Sequence, residues 1–267
     1  MLSLLAIALV GVVLGMLGGG GSVLILPILV YLVGMQPLTA TSYSLLIVGV
    51  AASVGAAGYV RQGFVDRMAV LGFGIPSIVG VLITRSFILP RLPDRIMNIG
   101  EFAITRNLLV MLIFAIMVIA SAVSMIRGPI NASSEDDASS DASRRPEWWA
   151  NILAGLMVGL LTGFVGAGGG FLIVPALVFL VGLPIREAIG TSLFIISIKS
   201  LIGFAGDLFV VQSIEWGLMT QFTIAAVVGI VIGIQLNKRI PAERLKPAFG
   251  WTILVVGLAI LLKELSA

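Results

Sequence analysis

The sequence predicts an all-α polytopic membrane protein made of two homologous halves, and three observations predict it. Hydrophobic residues fill 59% of the 267 positions and charged ones only 11%, with a mean hydropathy of +1.16. Soluble domains lie near 45–50% apolar and roughly 25% charged. The apolar residues gather into about eight long stretches bounded by charges or by Gly and Pro. Finally, GMLGGGGSVLILPILVYLVG (Gly15 to Gly34) returns 148 residues later as GFVGAGGGFLIVPALVFLVG (Gly163 to Gly182), identical at 12 of 20 positions.

The stretches are 2–33, 38–60, 67–88, 106–126, 148–181, 186–210, 216–236 and 247–265. About 20 residues of helix cross a hydrocarbon core of ~30 Å. The first and fifth, at about 30 residues and roughly 45 Å as straight helix, must therefore bend, and the glycines at 18–21 and 166–170 mark where. Each bend makes either a broken, tilted span or a re-entrant pair of half-helices. Unwound backbone at membrane depth is tolerated only against protein or a water-filled cavity.

Four full spans per half would give parallel repeats; a re-entrant pair plus three spans, the preferred reading, would give inverted ones. Lys and Arg in the loops divide six against nine in the first arrangement and five against ten in the second, with Arg85 counted as a loop charge in both. Either division places the N- and C-termini outside by the positive-inside rule. The Ser- and acid-rich segment 128–146 reads as a polar disordered linker. It joins an N-terminal transmembrane repeat, 1–127, to a C-terminal one, 147–267.

The duplication continues beyond the glycines. Ala40, Ser44 and Leu45 match Ala188, Ser192 and Leu193, and Gly55, Ala57 and Gly58 match Gly203, Ala205 and Gly206. Farther on, GFVDRMAVL echoes QSIEWGLM with a one-residue slip, which sets Asp66 and Glu215 at helix starts, where a carboxylate favours the positive dipole end.

Histidine and cysteine are absent. That removes imidazole acid–base catalysis, thiolate nucleophiles, haem ligation and ordinary zinc sites, so the chain reads as a non-enzyme without a cofactor or metal. A net charge of +3 suits an anionic membrane surface and does not call for nucleic acid. The N-terminus, MLSLLAIALVGVV, has no basic n-region, which argues against a cleaved signal peptide.

Paired Gly/Pro-broken segments at matching places in two membrane halves point to a transporter's binding site. A glycine break leaves N–H groups without helical partners, and the following half-helix aims its positive dipole end into it. Gly18, Gly19, Gly20, Gly21 and Ser22, with Gly166, Gly168, Gly169 and Gly170, thus form candidate anion nests; close helix packing through small residues is the competing reading. Lys199 lies in the middle of the sixth stretch, where a lysine costs on the order of 2.5–3.5 kcal/mol to insert. It shares a helix face with Ser192, Gly203, Gly206 and Asp207, so it pairs with a bound anion, with Asp207, or with each in turn. Asp207 is thereby a coupling or gating candidate. Ser44, Thr191 and Ser192, together with Ser42, are hydroxyls that either donate to an oxyanion or bond helix carbonyls.

The paired glycine words, GLPIREAIGTSL (Gly182 to Leu193), SLIGFAG (Ser200 to Gly206) and the I-E-W helix start at Ile214 to Trp216 resemble the TauE/SafE family of sulfite-exporter-like permeases over almost the whole chain. The resemblance implies a multi-pass transporter of the bacterial inner membrane for small sulfur-containing anions or organic acids, such as sulfite, thiosulfate or sulfonates. The chain departs from the family pattern at Lys199, where relatives often carry a neutral polar residue, and at Asp207, where a histidine is common. The functional expectation is a secondary transporter that binds a small anion at the repeat interface. A coupling proton or sodium ion and a homo-oligomer are open additions, and a passive anion channel is the alternative.

Overall fold

A computed structural model describes residues 1–93, 95–99, 102–127, 148–166, 169–208, 214–237, 250–251 and 254–263. The 128–146 segment and Gly168 lie outside the described residues.

In chain order the helices are α1 (Leu2–Leu17), α2 (Gly21–Leu32), α3 (Pro37–Arg61), α4 (Arg67–Arg91), α5 (Arg106–Arg127), α6 (Trp148–Val165), α7 (Gly170–Phe179), α8 (Ile185–Asp207), α9 (Trp216–Asn237) and α10 (Leu254–Lys263). A short antiparallel strand pair, Arg95–Ile99 with Phe102–Thr105, joins α4 to α5; apolar periodicity gave no sign of it. Six of the helices, α3 to α6 with α8 and α9, are long and apolar enough to cross a membrane. The protein is a predominantly helical, polytopic membrane protein.

Local sequence explains the helix ends. Pro37 opens α3 at a position where its missing N–H costs nothing. Asp66 caps α4, its carboxylate accepting the Ala69 N–H at 2.5 Å, as its place before the helix led one to expect. Trp148, Trp149, Trp216 and Trp251 are all exposed, and the first three stand at helix starts, positions suited to an interfacial aromatic belt.

Glycine determines which helices meet. Along α1 and α9, Gly11 lies against the Ala226 backbone, Gly15 against Ile230, Gly229 against Ala8 and Gly233 against Val12. Along α4 and α6, Gly155 lies against Phe73, Gly159 against Ser77 and Gly80 against Leu156, while Thr84 donates to the Leu160 carbonyl at 3.0 Å. In both pairs the residue numbers rise together, so the partners run parallel. Backbones approach this closely only where no side chain intervenes, the usual way helices gain packing energy in lipid.

The long α3 and α8 run the other way. Ser42 bonds Asp207, Leu45 meets Gly203, Gly49 meets Leu201 and Leu193 lies near Gly55, an antiparallel register. α1 therefore packs on α9 and α6 on α4, around a crossed α3–α8 centre. Helices before residue 127 and after residue 147 are thus interleaved rather than set side by side.

Candidate functional site

Both glycine words break the helix. In the first, α1 stops at Gly18 (φ 63°), whose N–H bonds the Leu14 carbonyl at 3.0 Å, and Gly19 follows at φ 118°. In the second, α6 stops before Gly166 (φ 64°), whose N–H bonds Thr162 at 2.9 Å, and Gly169 (φ 72°) starts α7. Any other L-residue would pay about 1–2 kcal/mol for such left-handed backbone. The two breaks touch. A Cβ on Gly170 would fall 2.5 Å from both the Cα and the carbonyl oxygen of Gly19, and one on Gly19 would fall 2.9 Å from the Gly170 Cα.

The breaks are related in sequence but not in chemistry. Gly18 lies against the side chain of Ile189, Gly19 against Ile196, and Gly21 against the backbone of Val10 and Leu14. Ser22 turns its hydroxyl back to the Gly19 carbonyl at 2.8 Å, and Ser192 donates to the carbonyls of Gly18 (2.6 Å) and Ile189 (2.8 Å). This side is apolar and its hydroxyls are spent on backbone. Around the second break, Gly166 lies against Arg85 and Thr41, and Gly169 against Thr162 and the Lys199 ammonium. At the 148-residue offset Ile189 corresponds to Thr41, Leu14 to Thr162 and Ala51 to Lys199. At these three pairs of positions the residue is polar at the second break and apolar in its counterpart.

Lys199 is 1% exposed, and its ammonium donates to the Thr162 hydroxyl at 3.1 Å. No carboxylate joins it among the described residues. Asp207 instead pairs with Arg85 at 2.6 Å and also accepts the Ser42 hydroxyl on the same oxygen. This corrects the Lys199–Asp207 pairing that a shared helix face suggested: eight residues of helix separate them by about 12 Å of rise. It also corrects the placement of Arg85 in a loop. Arg85 is a buried residue of α4, its Nε donating to the Gly163 carbonyl at 2.7 Å, one Nη to Asp207, and its other Nη to nothing among the described residues.

Two buried cations, Arg85 paired with Asp207 and Lys199 bonded to Thr162, thus border the second break. The first two N–H groups of α7, those of Gly170 and Phe171, have no partner among the described residues, and no side chain caps that helix. A helix N-terminus carries a partial positive charge, so the second break is a buried region where positive groups outnumber negative ones among the described residues.

Comparison with known proteins agrees with a membrane assignment. The family profile described as sulfite exporter TauE/SafE matches residues 3–260. The chain belongs to the TauE/SafE family. A protein named probable membrane transporter protein from Xylella fastidiosa (strain Temecula1) is 29% identical over 95% of this chain and 91% of its own. One of the same name from Haemophilus influenzae is 28% identical over 98% of each chain, and YunE of Bacillus subtilis, also named a probable membrane transporter protein, is 24% identical over 92% of each. No solved structure matches the chain.

Within this TauE/SafE chain, the candidate residues chosen from sequence divide into two groups. Gly166, Gly169, Gly170 and Lys199 come together at the polar break, and Gly18, Gly19, Gly20, Gly21, Ser22 and Ser192 build the apolar one. Ser44 is buried with its hydroxyl unpartnered among the described residues, as is Ser200. Thr191 accepts the Asp66 N–H at 2.9 Å and so secures the start of α4. Tyr43, its counterpart at the repeat offset, accepts the Glu215 N–H at 2.7 Å. Thr41, Arg85 and Thr162 were missed by sequence reasoning. For Thr41 and Thr162 a signal existed: both are polar where the other half is apolar.

Proposed function

We propose that the chain is a secondary transporter of small anions, and that the anion binds at the second break between Lys199, Thr162 and the first amides of α7. The observation that carries this reading is the buried lysine, which has no acidic partner among the described residues. Burying an ammonium with only a neutral hydroxyl for company is unfavourable, whereas an anion at the α7 N-terminus would neutralise it. The candidate substrates are sulfite, thiosulfate, sulfonates or related organic acids, in keeping with the family description.

The architecture behind this is an inverted repeat. The antiparallel crossing of α3 and α8 supports it, since two halves of four full spans each would set these helices parallel. In that arrangement α1–α2 and α6–α7 are re-entrant pairs, 1–127 and 147–267 are the repeats, and 128–146 is the linker. With Arg85 buried, the loop charges divide four against ten, a bias that favours both termini outside a bacterial inner membrane. The backbone contacts of α1 with α9 and of α4 with α6 make each pair a moving unit, so alternating access shifts these composite pairs about α3–α8 rather than one sequence half against the other. Lys199, Arg85 and Asp207 are 1%, 3% and 5% exposed, an occluded arrangement that favours a carrier over a continuous pore.

Flux of sulfite, sulfate, thiosulfate, sulfoacetate and lactate into liposomes containing the purified chain tests this. Saturable uptake of at least one is expected. Unsaturable currents would mean a channel, and no movement of any of them would overturn the assignment.

A further inference from the structure

Lys199 supplies one cation to the second break, and Arg85 stands beside it with a donor that no described group engages. The two are fastened to neighbouring residues near the end of α6. The Lys199 ammonium donates to the Thr162 hydroxyl at 3.1 Å, and the Arg85 Nε donates to the Gly163 carbonyl at 2.7 Å. One Arg85 Nη donates to Asp207 at 2.6 Å. The other Nη is buried, has no hydrogen-bond partner among the described residues, and would lie 2.3 Å from a Cβ on Gly166. Thr41 packs on the same glycine, but its hydroxyl donates to the Leu38 carbonyl at 2.7 Å. A guanidinium N–H left alone in a dry interior is costly, and glycine at 166 is what leaves this nitrogen room.

The guanidinium fork is planar and rigid, so two engaged nitrogens fix the direction of the third donor. Here the third lies against Gly166, where α6 stops, while the Lys199 ammonium lies against Gly169, where α7 starts. A ligand in the break therefore meets a cationic donor at each end.

We propose that Arg85 is a second direct contact for the anion and the residue that makes the site select oxyanions over halides. This rests on the anion-transport reading and names the feature of the substrate that the site recognises. Lys199 carries a compact point charge that attracts any small anion, whereas the guanidinium donor is fixed in direction. An anion that satisfies both must present acceptor atoms on different sides of one centre, as sulfite, sulfonate and carboxylate groups do. A spherical halide reaches one donor at the expense of the other. Asp207 is a positioning residue in this arrangement: with the Gly163 carbonyl it holds the fork, and Ser42 donates to the same carboxylate oxygen and holds Asp207 in turn.

The probes are selenate, a tetrahedral oxyanion, and bromide, both titrated against the purified chain in detergent. Wild-type protein should bind selenate at least about tenfold more tightly than bromide, the fold-change that one charge-assisted hydrogen bond supplies. Arg85→Lys keeps a cation beside Asp207 but loses the fork, and should erase most of that preference by weakening selenate and not bromide. Lys199→Gln should weaken both anions alike, which separates the two cations. In wild-type crystals soaked with selenate, one of its oxygens should lie about 3 Å from the free Arg85 Nη.

Arg85→Lys protein that keeps the wild-type preference, or that loses selenate and bromide equally, overturns the proposal. Selenate bound at Lys199 with no oxygen near that Nη overturns it too, and this observation on the wild type decides the matter even if Arg85→Lys does not fold. Either result leaves the Lys199 anion site standing. No selenate at the second break removes both readings.

Discussion

Lys199→Gln is expected to cut anion flux roughly 30- to 150-fold while the folded protein is recovered in equal or greater amount with an unchanged or higher melting temperature. The flux loss follows from removing a charge-assisted hydrogen bond worth about 2–3 kcal/mol in a dry site. The stability result has the opposite sign. Lys199 is fully enclosed with one neutral partner, and a buried lysine costs on the order of 2.5–3.5 kcal/mol on insertion scales. A residue whose replacement stabilises the fold and stops transport is there to meet a ligand. If the variant transports like wild type, Lys199 has a structural role and the site lies elsewhere. Flux in liposomes beside a thermal melt in detergent provides both readouts.

The second large effect is expected at the contact between the breaks. Gly170→Ala adds one methyl, yet that methyl meets the Gly19 backbone at 2.5 Å and the Ile196 methyl at 2.6 Å, so two backbones must part. Overpacking of this kind costs about 1–3 kcal/mol. Gly19→Ala adds the strain of φ 118°, about 1–2 kcal/mol more. Both variants should melt at lower temperature, and both should lose more than tenfold in flux, because separating the breaks moves the α7 amides away from Lys199. Gly58→Ala in α3, with nothing within 4 Å of the added carbon, is the control and should behave as wild type. Full activity in Gly170→Ala would show that the contact between breaks plays no part in transport.

What could be read from sequence and what could not has a physical boundary. The breaks were legible because only glycine tolerates their backbone angles and because the duplication repeats them. Lys199 was legible because a charge in a long apolar run has no local explanation. Asp66 announced its cap by position. Arg85 was not legible. It stands near the end of the apolar stretch 67–88, just before a run rich in arginine and proline, so it was counted with the loop charges, and its burial depends on α6 and α8 closing over it, a contact that no local pattern encodes. The partner of Asp207 was misread for the same reason: a shared helix face gives direction but not distance, and the true partner came from another helix. The asymmetry of the two breaks emerges when the halves are aligned and their differences, rather than their identities, are followed to Thr41, Thr162 and Lys199.

The enclosed positive charge at the second break is tested most directly by locating a bound anion. Selenate, whose selenium is identified by anomalous X-ray scattering, should appear in crystals of the wild-type protein within hydrogen-bond reach of the Lys199 ammonium and the Gly170 amide, and should be missing from Lys199→Gln crystals grown in the same solution. Selenium found only at the apolar break or on the surface, or equally strong in the variant, would contradict an anion site built on Lys199.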